Sequence, residues 1–179
     1  MLQITLPAKE VYDEEKEEFF TIKEQFLQLE HSLVSLSKWE SKWRKPFLSD
    51  KEKTFEEITD YVRCMTITQN VDPETYNYID QGDINKVNKY IEDPMTATTF
   101  SNLEKKKSRE VITAEIIYYW MVTFNIPMEC QKWHLNRLLT LINVCNIKNT
   151  PSKKMTKKEL AHYNHSLNSA RRSTLSTRG

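Results

Sequence analysis

Cysteine and histidine are the side chains here best suited to metal or nucleophilic chemistry. Cys130 and His134 lie four residues apart, Cys145 follows, and "HYNH" places His162 and His165 three apart. A structural zinc site needs four ligands, typically in two tight pairs. These pairs are loose and of mixed type, so buried cysteine and surface histidine is the simpler reading. A cysteine nucleophile needs a lowered thiol pKa and an orienting base. Cys130 lies near a predicted helix start, which favours a thiolate, but no local signature accompanies it. Nucleotide binding through a glycine-rich loop is excluded, because the only glycines are Gly82 and Gly179. The carboxylate pairs Glu14–Glu15, Glu17–Glu18 and Glu56–Glu57 lie in charge runs with no apolar surroundings to raise a pKa. Glu115 interrupts an apolar stretch and reads as half of an internal ion pair with Arg109 or Arg137, or as an oligomer contact. The expectation is a chain with no catalytic residue, no metal and no cofactor: a binding protein rather than an enzyme.

Binding residues are easier to nominate. "SLVSLSKWESKWRKPF" sets Trp39 and Trp43 four residues apart among Lys38, Lys42, Arg44 and Lys45. Such a pair can be a core anchor, a base-stacking platform or a protein contact. A second group is Trp133, His134 and Arg137. A third is the basic end, with Arg171, Arg172 and Arg178. Nucleic acid is disfavoured by the near-neutral whole, formal net charge +1, and by the lack of any reading motif.

That net charge hides an asymmetry. Asp13, Glu14, Glu15, Glu17 and Glu18 crowd the N-terminal side, whereas Lys153, Lys154, Lys157, Lys158, Arg171, Arg172 and Arg178 face one acid, Glu159, near the other end. Opposite ends of this kind mark interaction tails or self-association by head-to-tail contact. Three scattered cysteines suit a reducing compartment. "MLQITLPAKE" lacks the features of a signal peptide, and "VITAEIIYYWMVTF" is too short and interrupted to span a bilayer. Together these predict a soluble, cytoplasmic chain with no membrane partner.

The elements that must position these residues read mainly as helix. Scarce glycine disfavours tight hairpins. Leu2, Ile4 and Leu6 alternate as in a short strand, and Phe19–Leu33 fits two strands or a strand–helix mixture. Leu33, Leu36, Trp39, Glu40 and Trp43 then follow helical spacing, with Ser32 or Ser35 as cap and Pro46 as stop. Thr54 and Glu57 have capping-box spacing ahead of a stripe through Phe55, Ile58, Val62 and Met65. "VDPETYNYI" and "GDINKVNKYIEDP" read as two short helices, the second capped by Asp83, and "MTATTFSNLEKKKSRE" as a loop. Helices over 109–124 and from Pro127 onward predict a central helical hairpin. Thr156 and Glu159 have capping-box spacing before a last amphipathic helix through Leu160, Tyr163 and Leu167. The predicted class is mainly α, α+β at most: a helical domain over 1–147 with a small N-terminal β element, then a basic helix and flexible tail over 148–179.

Four strings carry a resemblance: "QLEHSLVSLSKWESKWRKPF", "DPMTATTF", "EVITAEIIYYWMVTFNIPMECQKWHLNRLLTLINVCNIKN" and "LNSARRSTLSTRG". Across most of its length the chain resembles small proteins from the tail gene cluster of tailed bacteriophages, encoded ahead of the tape-measure gene and described as tail assembly chaperones. The resemblance implies a mostly helical, non-enzymatic protein of the host cytoplasm. Such a protein coats the tape-measure protein while tail-tube subunits are recruited and is commonly absent from the finished virion. Two other roles fit a phage protein: a structural virion component such as a head–tail connector or minor tail protein, and a small nucleic-acid-binding protein.

Overall fold

The computed structural model describes residues 1–13, 18–49, 51–100, 111–150 and 157–175. It is mainly helical, with a small antiparallel β element at the N-terminus. By contacts the chain forms two units, Met1–Asn146 and Ile147–Gly179. The second contains the C-terminal helix Lys157–Leu175.

Four short strands build the β element: β1 (Leu2–Leu6), β2 (Lys9–Asp13), β3 (Glu18–Ile22) and β4 (Gln25–Leu29). β1 pairs with β4, and β2 pairs with β3. Leu2 faces Leu29, Leu6 faces Gln25, Lys9 faces Ile22 and Asp13 faces Glu18. The two residue numbers of every pair add to the same total. Both ladders therefore belong to one long hairpin in a single register, interrupted beside Pro7, which has no N–H to donate. This resolves the ambiguous Phe19–Leu33 stretch into two strands and a helix start.

Only the base of this ribbon meets the core. Ile4, Leu6, Leu27 and Leu29 are buried, as the period of two requires. The outer edge of β4 is covered by the chain leaving the second helix: Ile67 N donates to Gln28 O at 2.8 Å and Glu30 N to Met65 O at 2.9 Å.

Five helices complete the first unit: α1 (Leu33–Trp43), α2 (Phe55–Met65), α3 (Gln81–Glu92), α4 (Ala114–Thr123) and α5 (Leu135–Asn149), the last continuing into the second unit. The C-terminal helix is α6. Ser32 caps α1 and Thr54 caps α2 through reciprocal capping boxes with Ser35 and Glu57. Arg44 closes α1 in the left-handed region at φ 52°. α1 packs on α2 and α4. Between them lies a core that includes Leu33, Leu36, Trp39, Tyr61, Val62, Ile117 and Met121.

Several boundaries differ from the sequence reading. The short helix read in "VDPETYNYI" is a 3-10 helix over Pro73–Tyr78. α3 starts at Gln81, because Asp80 rather than Asp83 is its cap: Asp80 Oδ1 accepts from Asp83 N at 2.7 Å. α4 begins at Ala114, and the proposed start at Arg109 lies outside the described residues, as does Thr156 ahead of α6. Pro127 opens only a 3-10 turn, Met128–Lys132, and α5 waits until Leu135. The reason is tertiary. His134 bridges to Ser32, and Leu135 N donates to His31 O at 2.7 Å, which holds the chain extended where helix would otherwise begin.

Candidate interaction surfaces

The two tryptophans of α1 have different fates. Trp39 is 1% exposed, and its Nε1 donates to Glu57 O at 2.9 Å. Its ring meets Phe47 edge-on at 5.0 Å. It is a core residue, and its nomination as a contact is corrected: the helical stripe it shares with Leu33 and Leu36 points inward. Trp43, one turn on, is half-buried. Its Nε1 donates to Asp60 Oδ2 at 2.8 Å. The ammonium groups of Lys42 and Lys45 stand 5.7 and 5.8 Å from its ring, while Lys42 also pairs with Asp60 and Lys45 with Glu57. The basic flank is thus largely spent on acids of α2. Lys45, then the Thr54 N–H, hold the Glu57 carboxyl below its ordinary pKa. Trp43, Phe55, Arg63 and Tyr76 line an open cleft of about 340 Å³.

Glu40 is buried within the same helix and acts as a clamp. One carboxylate oxygen accepts from Phe47 N at 2.8 Å, and the other accepts from Ala114 N at 2.7 Å. Thr113, the N-cap of α4, makes no side-chain cap bond. Glu40 supplies the missing acceptor from another helix, with its charge at the favourable end of the α4 dipole.

The second nominated group also divides. His134 is buried, and both its nitrogens are engaged. Nε2 lies 3.0 Å from Tyr90 O, which can only accept, so Nε2 carries the hydrogen. Nδ1 accepts from Asn136 N at 3.3 Å. His134 therefore fastens the start of α5 and is corrected from contact to structural residue, with no free nitrogen to share with Cys130. Its ring packs 5.2 Å from His31, whose Nδ1 lies 2.6 Å from Tyr61 Oη. Burial, then the neighbouring His134, push the pKa of His31 down to about 3. Burial also raises the Tyr61 hydroxyl, so it stays a phenol. Trp133, half-buried against the core, and the exposed Arg137 form a cation–π pair, guanidinium to ring centroid 4.2 Å.

Arg171 and Arg172 are exposed on α6, while Arg178 lies outside the described residues. Glu115 is exposed in the first turn of α4, which corrects its reading as an internal ion-pair residue; Arg109 lies outside the described residues. Burial pushes the Cys64 thiol up to about 11, so it is a poor nucleophile at neutral pH. No group of three or more metal-ligating side chains gathers among the described residues.

Three exposed aromatic side chains of the β element were not nominated from the sequence. Phe19 is 74% exposed, Phe26 66% and Tyr12 48%. Tyr12 and Phe19 are directly paired across β2 and β3, with ring centroids 5.0 Å apart. By strand parity they continue the row that is buried at the ribbon's base, beyond the end of the core. The signal was present as matching alternation on either side of "DEEKEE", but without a glycine turn it did not read as a hairpin. A further cleft of about 330 Å³ is lined by Trp120 and Phe124 from the α4 end and by Leu139 and Ile142 from α5. Beside it, Ile117 and Met121 of α4 and Leu135, Leu138 and Ile142 of α5 belong to the same buried core.

Compared with protein-family models, curated proteins and solved structures, the chain matches none. No described helix is long and apolar enough to cross a membrane.

Proposed function

We propose that this chain is a non-enzymatic assembly protein, acting in the host cytoplasm as a tail assembly chaperone that binds a tape-measure protein while tail-tube subunits are recruited. The specific role rests on the resemblance of its sequence blocks to such proteins. The observation that best supports a binding role is the distal β-ribbon, where paired Tyr12 and Phe19 stand exposed beyond the core. Large aromatic side chains bury much area at little rotamer cost, which suits a partner contact. Trp43 with its cleft, and Trp133 with Arg137, offer smaller contacts of the same kind.

Co-expression with the tape-measure protein, followed by size-exclusion chromatography at low salt, tests the reading. Co-elution that is lost in Tyr12→Ser/Phe19→Ser is expected, and separate migration of the two wild-type proteins overturns it. Mass spectrometry of purified virions separates this role from that of a connector or minor tail protein. A chaperone is missing, whereas a structural component is present at fixed stoichiometry. One observation favours nucleic acid as a second reading: α6 exposes Lys158, Arg171 and Arg172. Phosphate contacts would give DNA binding a steep negative salt slope.

A further inference from the structure

The hydrogen bonds of the β element leave one edge open. In an antiparallel ladder the N–H and C=O of a residue point to the same side, and successive residues alternate sides. On β4, Gln28 O accepts from Ile67 N at 2.8 Å, Gln28 N donates to Thr68 Oγ1 at 2.8 Å, and Phe26 O accepts from that hydroxyl at 3.3 Å. Gln28 and Phe26 therefore face the 66–68 segment, which leaves Leu27 and Leu29 to bond Ile4 and Leu2 of β1. Gln3 and Thr5 stand opposite Gln28 and Phe26, so their N–H and C=O groups turn the other way, to the outer edge of β1. No further strand lies on that edge among the described residues, and Gln3 and Thr5 are exposed. Native edges are blunted by charge, proline or a bulge. "LQITL" has none of these before Pro7 ends it. Its core-facing row is also unfinished: Ile4 and Leu6 are buried, whereas Leu2 is only half-buried.

We infer that β1 pairs across a two-fold axis with β1 of a second copy, joining the two β elements into one sheet of order β4–β1–β1–β4. The edge itself specifies the occupant. It must be an extended, uncharged strand with free backbone groups two residues apart and apolar side chains on the core side. The other described strands of this chain are already placed: β2 and β3 pair with each other, and β4 lies between β1 and the 66–68 segment. β1 meets the description, and a strand cannot pair with itself within one chain, so the contact joins copies. With the axis at Ile4, Gln3 of one copy faces Thr5 of the other, and each free N–H of these residues meets a free C=O. Leu2 then lies opposite Leu6 of the second copy, which covers its open side. Moving the axis to Thr5 would set Gln3 against Pro7, which has no N–H. The contact is isologous and closes at two chains, whereas the charge asymmetry of the sequence suggests head-to-tail growth. It concerns this chain alone and does not rest on the tape-measure reading.

Sedimentation velocity and amide exchange on the full chain, with no partner protein present, test it. Wild type is expected to pass from monomer to dimer, and no further, as concentration rises toward about 1 mM, the scale suited to a small interface. Over that range the Gln3 and Thr5 amides should exchange at least about tenfold more slowly, while the Ile4 amide, held by β4 in both states, changes little. Gln3→Lys/Thr5→Lys sets like charges across the axis and should weaken the dimer at least about tenfold, and Gln3→Glu/Thr5→Glu should do the same. Mixed, the two variants bring opposite charges together and should pair with each other at least as well as wild type does with itself. That rescue separates a contact at the edge from a loss of fold. A wild type that stays monomeric up to about 1 mM overturns the inference. So does a dimer whose Gln3 and Thr5 amides exchange as fast as in the monomer, protection of those amides already in dilute monomer, or a mixture of variants that fails to pair.

Discussion

Among single residues, Glu40 and His31 carry the sharpest consequences. Glu40 satisfies two backbone donors with two oxygens, and an amide can replace only one of them. Glu40→Gln should cost about 1–3 kcal/mol, the scale of leaving a buried donor unmatched, read as a lower urea midpoint. Trp39→Ala should cost about 3–5 kcal/mol through the cavity it leaves. Trp43→Ala, at a half-buried site, should cost clearly less; equal losses would contradict the division between core and surface indole. His31 predicts a pH effect. Its folded pKa of about 3 lies below the 6.5 of a free histidine, so below pH 6.5 the unfolded chain takes up a proton that the folded chain refuses. The stability it contributes is present above pH 6.5 and is lost as pH falls, by up to about 1.4 kcal/mol per unit for one proton. Denaturant unfolding between pH 6.5 and 4.5 measures the slope, and His31→Gln should flatten it. An unchanged slope would assign the effect to another group. The sequence shows His31 and Glu40 as ordinary positions in a polar run and a helical stripe. What makes them special is a partner far along the chain, Tyr61 for one and Ala114 for the other.

Secondary-structure elements were legible in proportion to how local their causes are. Ser32 or Ser35 as a cap, and Thr54 with Glu57, announce α1 and α2, because a helix cap is written within four residues; the structure makes Ser32 the cap and Ser35 its reciprocal partner. The start of α5 was misplaced because its determinant is the backbone of His31, more than a hundred residues away. The hairpin was half-legible: alternation marked the strands, yet register is set by pairing across "DEEKEE", which has no turn signature. Its two ladders should differ in protection. The base is backed by Ile4, Leu27 and the 66–68 segment, whereas the distal ladder has only its own pairing. In dilute monomer, amide exchange should be at least about a hundredfold faster in β2–β3 than in β1–β4. Equal protection would mean that the outer ribbon is held by something besides its own pairing.

For the molecule as a whole, the buried hydrophobic core among the described residues lies at or before Ile142. A chain ended after Asn149 should therefore keep its unfolding free energy within about 1 kcal/mol of the full chain, as measured in urea. A larger loss would mean that α6 contributes to the fold. The whole-molecule class, mainly helical with a small β element, was readable from the lack of glycine and the length of the periodic segments. Which apolar side chains stay outside was not, since Phe19 and Leu27 look alike until the ribbon is seen to outrun the core. One fastening has a consequence for biosynthesis. Ser32 and His31, near the beginning, are met by His134 and Leu135, near the end of the first unit. A ribosome adding about 5–20 residues per second needs roughly 5–20 s to make the intervening stretch. Throughout that interval Leu27, Leu29 and Leu33 have been made without α5, which joins them in the core. The nascent chain should therefore keep these apolar side chains uncovered until α5 clears the exit tunnel.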